Sequence, residues 1–342
     1  MSLDHELLTV AWPNQKDAPF DKAILKGFGD VRNREELSVD TLRTLAENFR
    51  PNCVLLSGWA DKGYVQVCKE LKKKGVLIIS GCDTQWKGSL RQYAASMVSP
   101  CYVQKFIDVF WVSGERQRQL AAKLGYRGAR CWDGYYTCDW DLFSDVGQRR
   151  LNLRGKSAED TFVSVESSSA KSFAFVGRYA PEKGLDTLAE AYRTYSKRVE
   201  QPWSLVCAGR GLGQEALLEA GAEDRGFIQP ADLPEFLASA DAFILPSRFE
   251  PWGVVAQEAA VSGLPLIVSD VSGAGVHLLR DRWNGRSFAA GDVKQLAECL
   301  EWFHHQSESS LCTMGERSYE LGKQYTPGRW VQTLVQGVEI LD

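Results

Sequence analysis

Short β-branched apolar runs alternate with longer amphipathic segments over almost the whole chain, and no other feature limits the possible folds so tightly. Residues 7–11, 53–57, 76–80 and 109–113 read as strands. Residues 21–27, 39–49, 64–74 and 115–124 carry helical spacing, the last stopped by Gly125. Strands separated by whole helices cannot pair as hairpins, so they imply parallel strands with crossover helices. The alternation lapses at residues 154–172, where Gly, Lys, Glu and a Ser run at 167–169 suggest a linker or a loop with an edge strand. It then restarts, with strands expected at 173–176, 203–208, 227–228, 242–245 and 266–269. Helices are expected at 185–199, 214–220, 233–238, 254–262, 293–304 and 329–340. The expectation is an α/β protein of two Rossmann-like, doubly wound domains, residues 1–165 and 166–328, with the ligand beyond the carboxyl ends of the strands.

Composition narrows the partners. A chain of 342 residues has room for two domains, and 44% hydrophobic with 25% charged residues is ordinary for a globular protein. The net charge of −4 divides into +4 over residues 1–165 and −8 over the remainder. Neither half has the basic field of a nucleic-acid binder. The mild basicity of the first half suits an anionic substrate or weak association with a membrane surface. Nine scattered Cys, an odd number without a C-x-x-C, point away from disulfides and zinc and toward a cytoplasmic place, with the inner membrane face as a peripheral option. Residues 1–6 are polar and do not read as a signal peptide. The least polar long stretch, 251–276, holds Gln257, Glu258 and Asp270, so it is not a membrane span.

Three motifs carry chemistry. In FAFVGRYAPEKG (173–184) a strand ends at Gly177 and Arg178, and Lys183 follows just before a helix. A strand-to-helix loop offers backbone N–H groups to an anion, Arg grips phosphate oxygens bidentately and Lys adds a point charge. A solvated Arg and Lys would be the plainer reading of the pair. In VCAGRGLG (206–213), Gly209, Arg210, Gly211 and Gly213 form either a phosphate-cradling turn or simple tight turns. In ADAFILPSRFEPWGVVAQEAA (240–260), a strand runs into a loop holding Glu250, and Trp252, Gly253 and Val254 open a helix. Glu258 then lies inside the apolar run VVAQEAAV. A dipole contact explains an acid at a helix start, but a carboxylate within such a run needs donors, which a ribose diol would supply. Trp86 with Lys87 and Arg91 reads equally as packing or as an acceptor contact.

The order GR-x4-KG, a glycine-rich strand end, GF, AD-F-LPS-x-x-E-x-x-G-x4-EA and SG-P-I-S resembles the retaining family-4 glycosyltransferases of GT-B fold. The resemblance is close from Phe173 to Phe303 and loose before it. It implies that Arg178 and Lys183 hold the donor diphosphate, with Gly177, Gly209 and Arg210 beside them. It further implies that Glu258 binds the ribose, Glu250 serves the transferred sugar near the reacting centre, and Trp252, Gly253 and Val254 offer main-chain groups to sugar or phosphate. Phe227, with Gly226, would meet the base. The first half departs from the family: AWPNQKDAP (11–19) has no glycine, Asp133 stands where an Asn is common, and Asp83 stands where a His contacts the donor sugar. Asp83 is therefore the second catalytic candidate. The final helix, 329–342, would cross back onto the first domain.

The resemblance implies a retaining transferase that uses a UDP-sugar or GDP-sugar, no metal and no other cofactor, and a glycan or lipid-linked acceptor. Front-face attack, with the leaving phosphate taking the acceptor proton, needs no pair of glycosidase carboxylates. Two rivals stand beside it: a non-catalytic nucleotide-sugar-binding or scaffold protein, and a GT-B epimerase or phosphorylase-like enzyme, which the two glutamates disfavour.

Overall fold

The structure, a computed structural model, describes residues 6–12, 20, 27, 29–155 and 171–341. The helix start expected at 21–26, most of AWPNQKDAP and most of the 154–172 linker lie outside them. The chain divides into two compact units, Met1–Tyr135 with Val335–Asp342, and Tyr136–Leu334.

In the first unit β1 (Leu8–Ala11) pairs in parallel with β2 (Asp30–Asn33). Helix α1 (Val39–Phe49) leads to β3 (Cys53–Leu56), and α2 (Lys62–Lys73) to β4 (Leu77–Cys82). Helix α3 (Leu90–Val98) and two short turns precede β5 (Val109–Val112), and α4 (Glu115–Lys123) precedes β6 (Cys131–Asp133). Strands β3 to β6 form one parallel sheet in chain order. All four residues of β5 are buried, as an inner parallel strand covered on both faces requires. Side chains start the helices: Ser38 accepts the Thr41 N–H, and Asp61 accepts those of Gly63 and Tyr64.

The second unit opens with α5 (Trp140–Gly155), then β7 (Ser172–Val176), α6 (Leu185–Ser196), β8 (Ser204–Ala208), α7 (Gln214–Glu219) and β9 (Glu223–Asp224). There follow α8 (Leu233–Ala238), β10 (Ala242–Leu245), α9 (Val254–Val261), β11 (Leu266–Ser269), α10 (Gly273–Leu278) and β12 (Gly285–Phe288). Helices α11 (Val293–His304), α12 (Glu308–Gly322) and α13 (Pro327–Leu341) complete it. All its strand pairs are parallel, in the order β12-β11-β10-β7-β8-β9. This is the doubly wound order, and it reverses between β7 and β10, the point beyond which such sheets bind ligands.

The unit boundary falls at residue 135, not at the expected 165. Helix α5 is the reason. It packs on α8, α9 and α12, and its buried Arg150 donates to the carbonyls of Leu237 and Ala238 at 2.8 and 2.9 Å. Its contacts run through a glycine, Gly147, and an arginine, so no clean apolar stripe announces it. Helix α13 begins in the second unit, and only its part from Val335 belongs to the first, where Gly337 lies against Trp132. No helix among the described residues is long and apolar enough to cross a membrane.

Candidate functional site

The loops after β7 and β8 are tied to each other by their backbones. Gly177 N–H donates to the Ala208 carbonyl at 3.0 Å, Tyr179 N–H to Arg210 at 2.7 Å, and Gly213 N–H to Tyr179 at 3.0 Å. A Cβ on Gly209 would run into the Gly177 carbonyl and the Tyr179 ring. Glycine is therefore demanded there by the approach of one loop to the other. The Tyr179 hydroxyl reaches Asp224 at 2.7 Å, and the Gly226 N–H reaches the same carboxylate at 2.9 Å. Burial, then the hydrogen bond to Asp224, hold the Tyr179 hydroxyl well above its usual pKa. Asp224 ends β9 at this contact, so the strand lies at Glu223–Asp224 and not at 227–228, where the chain turns through Gly226. Arg210 stands over the Phe227 ring, 6.0 Å from its centre, so two expected donor-site residues meet.

Across the sheet reversal the loop after β10 meets the loop after β7. Lys183 Nζ lies 2.5 Å from Glu250 Oε2, and Ser247 Oγ donates to the same oxygen at 3.0 Å. Glu250 is 6% exposed and the Lys183 side chain 16%, so the pair is nearly dry. Backbone bonds clamp the two loops: the N–H groups of Arg248 and Phe249 both donate to the Glu182 carbonyl. Arg178, by contrast, is exposed and pairs with Glu182 at 2.9 Å. Gly253 takes φ +98°, and a Cβ there would press on the side chains of Leu245 and Glu250, so α9 starts directly over Glu250. No side chain among the described residues caps α9. The Trp252 ring is buried beside His277 and Tyr325, and its carbonyl accepts from Ala274 N–H and Ser272 Oγ. Of Trp252, then, neither ring nor carbonyl is open to a ligand.

Glu258 sits on α9 between buried Gln257 and Ala259. It is half-buried, and no donor among the described residues meets its carboxylate. Burial, followed by repulsion from Asp139, pushes its pKa up to about 7. A carboxylate left without donors in such a place is ready to accept hydrogen bonds from ligand hydroxyls.

The structure thus gathers Gly177, Arg178, Lys183, Gly209, Arg210, Phe227, Glu250, Gly253, Val254 and Glu258 around the carboxyl ends of one unit's strands. Asp83 belongs to the other unit, exposed just after β4, where its carbonyl accepts from Gln117 at 3.0 Å. Sequence reasoning missed Ser247, Tyr179, Asp224 and Asp139. The LPS motif contained Ser247, but nothing local marks the others, whose partners lie far along the chain. Among the described residues no group of three or more His, Cys, Asp or Glu could hold a metal ion.

Known proteins agree with the motifs. Residues 157–320 match the family model described as glycosyl transferases group 1. The glycogen synthase of Mycobacterium tuberculosis is 30% identical over 213 residues, 56% of this chain and 50% of that protein. The chain thus matches about half the length of that curated relative. Among solved structures, Anabaena HepE in complex with UDP and glucose superposes with a TM-score of 0.72 at 15% identity, covering 98% of this chain and 99% of that one. Sucrose-phosphate synthase from Thermosynechococcus elongatus does so with a TM-score of 0.67 at 17% identity, covering 98% and 88%. The resemblance to GT-B glycosyltransferases is borne out, and so is the fold of two Rossmann-like units.

Proposed function

We propose that this chain, whose residues 157–320 match the group 1 glycosyl transferases, moves a sugar from a nucleoside-diphosphate sugar to a glycan or lipid-linked acceptor, with retention and without a metal. The observation that carries the proposal is Glu258, a carboxylate on α9 that meets no donor among the described residues, as a ribose diol requires. UDP is the favoured nucleotide, because the superposed HepE structure was obtained with it.

Each group then has a task. Glu258 accepts the ribose hydroxyls. Lys183 carries three N–H donors and Glu250 engages it at 2.5 Å, so a diphosphate can be held without breaking that pair. Arg178 adds a bidentate grip on the leaving phosphate, and the two cations stabilise the charge that develops there. Glu250 fixes Lys183 and serves the transferred sugar. Gly253 and Val254 offer main-chain groups, and Phe227 packs on the base.

Donor hydrolysis and calorimetry test this together. Slow release of UDP from a UDP-sugar in EDTA is expected. Arg178→Ala should weaken UDP binding by about 1.5–3 kcal/mol. Glu250→Gln should lower turnover while leaving UDP affinity nearly intact. A strict Mg²⁺ requirement would overturn the metal-free reading, and tight donor binding without turnover would establish the scaffold alternative.

A further inference from the structure

Helix α3 of the first unit is built inside out. Its inward residues are small or polar. Gln92 donates to the Gln85 carbonyl at 2.7 Å, Ala95 packs on the core, and buried Ser99, just past the helix end, donates to the Leu124 carbonyl at 2.7 Å. Its large apolar residues face water: Leu90 is 89% exposed, Met97 76%, Val98 55% and Tyr93 50%. The spacing 90, 93, 97, 98 places them on one stripe of the helix. Tyr102 prolongs the stripe beyond the helix and is exposed as well. Exposed Lys87, Arg91 and Lys105 flank it, Lys69 Nζ lies 4.2 Å from the Tyr102 ring centre, and no acidic residue occurs between Asp83 and Asp108. Single exposed apolar residues need no explanation, but a contiguous stripe on one short helix does.

We propose that this face docks on an anionic phospholipid surface, the apolar stripe entering the headgroup boundary and the basic rim meeting lipid phosphates. The charge selects the occupant. A second copy would bring the same basic segment, without an acidic residue from 84 to 107, against itself, whereas an anionic bilayer satisfies both the apolar residues and the cations. The inference is independent of the transferase reading.

Co-sedimentation of the full chain with vesicles tests it. Vesicles of pure phosphatidylcholine are compared with vesicles of phosphatidylcholine and phosphatidylglycerol in equal parts. The chain should sediment with the mixed vesicles and not with the neutral ones. Leu90→Glu with Met97→Glu should lower that partition at least about tenfold, and Arg91→Gln about fivefold, with unchanged melting temperature and circular dichroism. No sedimentation of the unaltered chain, or equal sedimentation of the double variant, overturns the proposal. So does a concentration-dependent dimer that the double variant abolishes, since the stripe would then belong to a second copy.

Discussion

Helices α9 and α3 break the same rule in opposite directions. Helix α9 is apolar and largely buried, yet it carries a carboxylate that no donor among the described residues meets. Helix α3 turns its large apolar residues outward and its small and polar ones inward. In one the protein holds a charged group where its charge is disfavoured; in the other it leaves apolar groups in water. A fold optimised only for stability would contain neither. On the two proposals made above, the direction of each mismatch corresponds to a missing partner: hydroxyl donors for Glu258, an apolar and negatively charged surface for α3.

The contrast can be broken by measuring what each feature costs the folded state. The largest effect is expected beside α9, at the dry pair. Lys183→Ala should destabilise the protein by about 3 kcal/mol in chemical denaturation, because it removes the cation that balances the buried Glu250 carboxylate. Lys183→Ala with Glu250→Gln should recover most of that loss; a single variant as stable as the parent would remove the pair from the account. Next comes Glu258 itself. Its folded pKa, about 7, lies above the ordinary carboxyl value of 4.5, so folding favours the protonated form. Its contribution is fully present below about pH 4.5 and is lost as the pH rises to about 7. Glu258→Gln should therefore stabilise the chain by about 1–3 kcal/mol at pH 8 and hardly at pH 4.5. A pH-independent difference would show that the carboxylate already has donors.

Smaller effects sharpen the α3 side. Ser99→Ala removes a buried hydrogen bond and should cost about 1 kcal/mol, measured by thermal unfolding. Leu90→Glu with Met97→Glu should change stability by no more than about 0.5 kcal/mol, since both side chains already face water. A large loss from that double variant would mean the stripe packs on the protein after all.

Much of the second unit was readable because its signals are local. Strands β10 and β11 and helix α11 stand where the apolar runs place them, and the two glutamates frame the start of α9 as their spacing implies. Other elements were not readable, for identifiable reasons. Helix α12 (Glu308–Gly322) carries Ser, Cys and Gly among its residues and has no strong stripe. Strand β12 (Gly285–Phe288) is an edge strand with an Arg and a Ser in it. Helix α3 escaped notice because its apolar stripe does not face the core, although most of its residues are good helix formers.

The amino-acid sequence alone determined the β–α alternation, the glycines at the strand ends, the cations after β7 and the acid inside α9, all matters of spacing within a few turns. Only the tertiary structure decided the strand order that sets β7 beside β10, and with it the meeting of Lys183 with Glu250, 67 residues apart. It alone decided that Asp139 repels Glu258 and that the stripe of α3 looks out. Local propensity depends on neighbours a few residues away, whereas a pKa or an exposed face depends on whichever distant segments the packing of whole elements brings alongside.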